Sequence, residues 1–441
     1  MDRRAFLTSF YTPRTGTNYT PAERTLPTGL EPFVPSASAP WDATRVGHLL
    51  RRTMMLPKWG EITQLMGLTP SAAVDLLLNT PSDPARPAAA DVATEDPFQI
   101  SDPVVQNGII GGFASTMATL QKWWQDVFVS SPLSIVEKMT FFWSGHFTTQ
   151  FNLDNIDYVQ APLLYRQNQL FRALCLASFR DMAFGATIDG GMIIFLGGNL
   201  NNKSHPNENY ARELMELFTM GIGNYSEGDV REAARILTGW HTCRYTNSFT
   251  PPSGIFSSYF NPLDHDQGSK TYLGVQFAAV PDAENTEFLV KKNEIEKLID
   301  TIIAQRTQET AIFVCRKIYR FFVYSSPSGT DETVITAMAK IFTDNNFQIK
   351  PVIDALLKSA HFYDNANIGA QIKTPAEYVI GFARQLGYGK TMEASMDAML
   401  QTIFQPPNVS GWTGWHDWIT TNTFPVRSKL AADAIAAMTD D

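Results

Sequence analysis

Residues 206–221 read PNENYARELMELFTMG. Pro206 suits the first turn of a helix, where a missing N–H breaks no bond. Gly221 and Gly223 suit its end. At about 100° per residue, Tyr210, Ala211, Leu214, Met215, Leu217 and Phe218 share one arc. Glu208, Asn209, Arg212, Glu213 and Glu216 share the other. The stretch therefore predicts an amphipathic helix packed on a core. Its polar arc has three carboxylates and one arginine but no lysine, which a simply solvated face would mix in freely.

Working outward, the same period recurs. Asn199 to His205 (NLNNKSH) precedes the helix, a run of short side chains able to fix a loop. Glu208 and Arg212, four residues apart, are placed to pair. Ser226 with Asp229 reads as a helix start, Ser134 with Glu137 as a capping box, and Thr374-Pro375-Ala376-Glu377 as a cap with proline at the first helical position. Asp42 and Thr69-Pro70 open two early helices. Helical pattern covers 114–129 and resumes near Asn285, through 312–323, 331–343, 350–359, 374–387 and 424–438. Residues 241–285 break it, rich in Gly, Pro, Ser, Asn and aromatics, and suit a small hairpin. Residues 80–97 (TPSDPARPAAADVATEDP) read as a flexible connection, and 405–419 as a Pro/Gly/Trp loop. The expected fold is all-α: a large multi-helix globular domain with an irregular or β insertion around 241–285. An extended arm spans 1–40 and a single helical domain 41–441, with a sub-boundary fitting only in 80–97.

The chain has 441 residues, 44% hydrophobic, 12% aromatic and 18% charged, which suits a large core rather than disorder. The net charge is −9, and without a basic stripe nucleic acid is excluded as a partner. No apolar run reaches the length of a membrane span. Cys175, Cys243 and Cys315 are scattered and odd in number, against a disulfide framework or a cysteine zinc site. The opening Met1-Asp2-Arg3-Arg4-Ala5-Phe6-Leu7 looks like a twin-arginine export start, but its apolar part stops near Phe10-Tyr11. Localisation is left between cytoplasm and periplasm.

Several long motifs occur together. They are His48-Leu49-Leu50-Arg51-Arg52; FWSGHFT at 142–148; the run from His205 to Thr219; DVREAARILTGW at 229–240; His265-Asp266-x-Gly268-x-Lys270; and Gln405-Pro406-Pro407-Asn408-Val409-x-Gly411-Trp412. In this order they resemble the bacterial domain-of-unknown-function family 1800, over most of the chain from Trp41. The resemblance implies a bacterial protein of a kind often predicted to be exported. It implies shared polar positions at His146, Asn207, Glu208, Asn209, Arg212, Glu213, Glu216, His265, Asp266 and Lys270.

Two function classes fit these residues. The first is a hydrolytic or metal-assisted enzyme with its site on the polar arc of 207–216, joined by His146 and the 265–270 loop. Glu208 or Glu213 would act as base or ligand, Arg212 would orient a carboxylate, and Lys270 would add charge. His146, Glu216, His265 and Asp266 are the candidate ligands for a divalent metal, although no H-E-x-x-H or E-x-x-H spacing is present. The second is a non-catalytic binding or assembly protein of the cell envelope, recognising a small molecule or a glycan. There the same residues form a buried network, and truncating Arg212 should cost several kcal/mol. Trp412, Trp415 and Trp418 can stack on a ligand or pin their loop to the core; His48 and His361 fit structural roles better.

Overall fold

The computed structural model describes residues 29–151, 159–388 and 392–439. The twin-arginine-like start lies outside them. Helix α1 (Ala43–Thr53) begins where the Asp42 carboxylate accepts the Thr44 and Arg45 amides, both at 3.1 Å. Before it, Pro32 bridges to Ser359, and Phe33 packs on Trp41 and Tyr363. Helices α2 (Trp59–Met66) and α3 (Pro70–Leu77) follow, the latter capped by Thr69 as expected.

Residues 80–97 are not a flexible connection. They form two 3₁₀ turns, Ala88–Asp91 and Pro97–Gln99, and bury Ala89 and Ala90. Trp123 donates to the Ala85 carbonyl at 2.8 Å, and Thr94 bridges to Tyr245. Helix α4 (Pro103–Ser130) starts well before 114, because Asp102 caps it and Pro103 opens it. The capping box expected at α5 (Val136–His146) is absent. Ser134 does accept the Val136 amide, but Glu137 turns inward to Trp124 and Arg172.

Helices α6 (Ala161–Leu174), α7 (Phe179–Thr187) and α8 (Gly190–Phe195) lead to α9 (Glu208–Glu213), which widens into a π turn over Leu214–Thr219. Helix α10 (Glu227–Ile236) carries the Ser226–Asp229 capping box.

Two antiparallel hairpins fill 241–285. Strand β1 (Trp240–Thr242) pairs with β2 (Ser258–Phe260), and β3 (Lys270–Tyr272) with β4 (Val275–Phe277). The second turns on Leu273-Gly274, both at positive φ (47° and 79°), as a two-residue hairpin requires. Leucine is rarely found there. Here its side chain is buried and its amide donates to Asp229 at 2.8 Å, so packing and α10 hold the strained turn.

The remaining helices are α11 (Glu287–Val290), a π segment (Lys291–Glu296), α12 (Lys297–Gln305), α13 (Thr307–Phe322), α14 (Thr330–Asp344), α15 (Ile349–Lys358), α16 (Pro375–Leu386), α17 (Met392–Ala398) and α18 (Thr423–Thr439). Thr374 and Glu377 form the expected capping box. The architecture is all-α with two small β hairpins. Its core forms two clusters, one around α1, α5, α7, α9, α10 and α12–α15, the other around α4, α6 and α16. The loop tryptophans act as pins: Trp412 lies over Phe141, Trp415 against Tyr324, and Trp418 is buried. All three cysteines are buried. No described helix is long and apolar enough to cross a membrane.

Candidate functional site

The polar run before α9 folds on itself as its composition suggests. Asn207 caps α9, its Oδ1 accepting the Tyr210 amide while its Nδ2 donates to the Leu196 carbonyl at 2.8 Å. The Asn207 amide donates to Asn201, and Asn202 accepts the Ser204 and His205 amides.

The polar arc of α9 does not act as one unit. Glu208 is exposed, whereas Glu213 is buried and so departs from the solvated arc. Arg212 forks onto Glu227 of the next helix at 2.9 and 2.7 Å, not back onto its own helix. Glu216 accepts the Tyr225 hydroxyl. The Arg212 side chain is 25% exposed and that of Glu227 63%, so water screens the pair. Arg212→Ala is therefore expected to lower stability by no more than about 1 kcal/mol in chemical denaturation. A loss of several kcal/mol would mean this fork is part of the buried network.

His146 meets α9 through backbone, not through carboxylates. The helix ends after Thr219, so the Leu217 and Phe218 carbonyls of its last turn are left without helical partners. Lys317 donates to the first at 2.8 Å and His146 Nε2 to the second at 2.9 Å. Burial, then Lys317, lowers the His146 imidazole well below its ordinary range. It lies among Phe142, Trp143, Phe147 and Phe218.

The second hairpin is clamped to α10. Arg235 forks onto Asp266 at 2.7 and 3.1 Å and also reaches Glu232. Glu232 accepts the Thr271 amide at 3.0 Å. Burial alone would push the Asp266 carboxyl up, but Arg235, the Gly268 amide and Lys270 outweigh it and hold it low. The DVREAARILTGW motif is thus the grip on the HDQGSK motif.

Inside that grip lies a buried triad of Lys270, Glu294 and His265. Lys270 Nζ donates to Glu294 Oε1 at 2.6 Å and to the Asp266 carbonyl at 2.5 Å. His265 Nδ1 is 3.0 Å from the Thr238 carbonyl. The Thr238 hydroxyl already donates to the Arg235 carbonyl at 2.7 Å, so His265 Nδ1 meets only acceptors and carries the hydrogen. Nε2 then faces Glu294 Oε2 at 3.1 Å, off the line of a hydrogen bond. Sequence reasoning found His265 and Lys270 but missed Glu294. Its signal was present: Glu294 interrupts the apolar stripe Val290, Leu298, Ile302, a charged residue on a core face.

A third cluster joins the two regions. His241 donates through Nδ1 to the Asn199 carbonyl at 3.1 Å and sets Nε2 3.0 Å from Asp264. Asn261 donates to the same Asp264 oxygen at 2.7 Å, and the Lys203 amide to the Asp264 carbonyl. Asp264 and Asn261 were not singled out in the sequence, because nothing local marks a loop acid as a hub.

The candidate residues therefore occupy separate places: His146 at the π turn, Glu208 in solvent, Arg212 and Glu216 on the α10 side of α9, and His265, Asp266 and Lys270 within the hairpin grip. Among the described residues no three His, Cys, Asp or Glu side chains are grouped to hold a metal ion. A hollow of about 450 Å³ opens beside the triad, walled by Ala279, Val280, Leu289, Lys292 and Lys297 with Glu294 in its lining. His361 takes the structural place expected of it, bonded to the Tyr319 hydroxyl at 2.7 Å with Asp331 behind.

No curated protein and no solved structure matches the chain. The family model described as DUF1800, protein of unknown function, matches residues 48–440, nearly everything from α1 onward. Its span takes in the π turn, the hairpin grip and the buried triad alike, and the chain belongs to the DUF1800 family.

Proposed function

We propose that this chain is a non-catalytic binding protein whose ligand is a saccharide, held on the loop platform around His241 and Asp264. One observation carries the reading. The polar motif groups bond to one another and to backbone, and the loops they fix present apolar side chains to water. Leu200, Phe249 and Leu263 are 72%, 70% and 75% exposed. Leu200 adjoins Asn199 and Leu263 adjoins Asp264, and His241 bonds both of those neighbours. Tyr259 lies 5.7 Å from His241 and 5.8 Å from Phe249, ring centre to ring centre.

Apolar side chains held out in water by a rigid polar frame mark a surface that meets a partner. A saccharide suits this mixture: its C–H faces lie on aromatic rings, and its hydroxyls bond to groups like Asp264 and Asn261. The hydrolytic or metal-assisted reading draws less support. It needs Glu208, Glu213 and His265 around one open cleft, whereas Glu208 stands in solvent and His265 is enclosed.

The test is titration of the purified chain with soluble cell-wall oligosaccharides by calorimetry. Tyr259→Ala with Phe249→Ala should weaken binding by at least about tenfold while leaving the melting temperature near wild type. Absence of saccharide binding, or binding indifferent to these changes, overturns the reading.

A further inference from the structure

The motif His48-Leu49-Leu50-Arg51-Arg52 is only partly explained by the core. His48 Nε2 bonds the Phe362 carbonyl, and Arg52 donates through Nε to the Phe322 carbonyl at 2.9 Å. Arg51 makes no such bond. It is half-buried in the last turn of α1, and its guanidinium lies back over Gly47, where a Cβ would meet Nη1 at 3.1 Å. Four more cations gather toward the start of α16. Arg52 Nη2 donates to the Phe321 carbonyl, and Lys138 Nζ lies 5.3 Å from the centre of the Phe321 ring while pairing with Glu377 in the first turn of α16. Lys373 directly precedes the Thr374 cap of that helix. Arg427 of α18 donates through Nη2 to the Lys373 carbonyl at 3.1 Å and lies 5.1 Å from the centre of the Tyr378 ring.

The carboxylate at this cluster, Glu377, is already bonded. Its Oε1 takes Lys138 and its Oε2 the Thr374 amide at 2.7 Å. Among the described residues no carboxylate lies within ion-pair distance of Arg51, Lys373 or Arg427. Arg427 is 7% exposed, and its Nε is enclosed with no hydrogen-bond partner. A guanidinium does not shed its proton, so an enclosed N–H without an acceptor marks a place for one. Burial, then the Arg51 charge, lowers the Lys373 amine, and Arg427 and Arg52 act on it in the same direction. The chain as a whole has a net charge of −9, so this surplus of cations is local. Arg51, Lys373 and Thr374 are half-buried, so solvent reaches the cluster.

We propose that Arg51, Lys373 and Arg427 bind a phosphate group. Cations held together without counter-charges are unfavourable by themselves, and an anion among them removes that cost. A carboxylate brings one charge and two oxygens. A phosphate monoester brings a charge of about −1.5 to −2 and three acceptor oxygens, the better match for two guanidiniums and an ammonium. The positive end of α16 adds to the same field. The site shares no residue with the saccharide platform, so neither reading depends on the other.

The experiment titrates the whole chain with inorganic phosphate by calorimetry at low, constant ionic strength, with chloride as the balancing anion. Saturable binding is expected, weakened at least about tenfold by Lys373→Gln and by Arg427→Gln. In phosphate-free buffer Lys373→Gln should leave the melting temperature unchanged or raised, because it takes one cation from among others; a lysine with a purely structural role would lower it. Vesicles of phosphatidylcholine with phosphatidic acid form a second arm. Sedimentation with them that free phosphate competes away assigns the group to a lipid headgroup, and free phosphate binding without sedimentation assigns it to a soluble ester. No binding of phosphate to the wild-type chain, or binding indifferent to both substitutions, overturns the proposal.

Discussion

Glu294→Ala is expected to be among the most damaging single substitutions in this protein, lowering stability by about 3–5 kcal/mol. The side chain is 2% exposed and faces two nitrogen groups, Lys270 Nζ and His265 Nε2. Removing it leaves a buried ammonium without its ion-pair partner and hydrogen-bonded to the Asp266 carbonyl. The loss comes less from a missing attraction than from a cation left without its counter-charge in a low-dielectric place. Two further variants distinguish these contributions. Glu294→Gln keeps the shape but not the charge and should fall close to the alanine variant. Glu294→Leu combined with Lys270→Met removes both charges and should recover most of the loss. The readout is the denaturation midpoint of each variant. A Glu294→Ala midpoint within about 1 kcal/mol of wild type would show that the triad does not hold the hairpin.

The second large effect is on pH. Burial, then Arg52 and Arg51, drops the His48 imidazole from 6.5 to about 3, and its Nε2 bonds the Phe362 carbonyl. His146 is lowered in the same direction. Between these values the unfolded chain binds protons that the folded chain refuses. Stability is therefore full above about pH 6.5 and falls as pH drops toward 3. Each such histidine contributes a slope of up to about 1.4 kcal/mol per pH unit, so the two together reach roughly twice that. In the window from pH 6.5 to 5 the buried Asp189 carboxyl, pushed up to about 6, opposes them and offsets part of the slope, whereas Glu377 and Asp266, held low, respond only in stronger acid. Melting temperatures over that window should still fall, because two histidines outweigh one carboxyl, and His48→Gln should remove at least half the net slope. A flat profile in wild type would mean that the two histidines are not both held neutral.

The expectation that Arg212 reports on the buried network does not survive the geometry. Arg212 stands on a lysine-free arc, but spacing alone does not say which arginine of a motif is enclosed. Arg172 and Arg384 are far more buried, on Glu137 and Glu61, although neither stood out in the sequence.

What the sequence determined by itself is local. Asp42, Thr69, Ser226 and Thr374 each cap the helix that follows, because a cap is settled by a few neighbouring atoms, whereas Pro206, expected in a first turn, precedes the Asn207 cap. The helical period placed α9, α10 and α13–α16 and marked 241–285 as different, because that period states which face must leave water. Even Ser134, a correct-looking cap, shows the limit: Glu137 had better partners in Trp124 and Arg172 than the local amide. What only the tertiary structure decided is pairing. Lys270 meets Glu294 across 24 residues and His146 meets the Phe218 carbonyl across 72. A hydrophobic pattern states that a residue is enclosed but not by what. The energy of a buried charge depends on the identity of the atom opposite, and that atom is supplied by packing of distant segments.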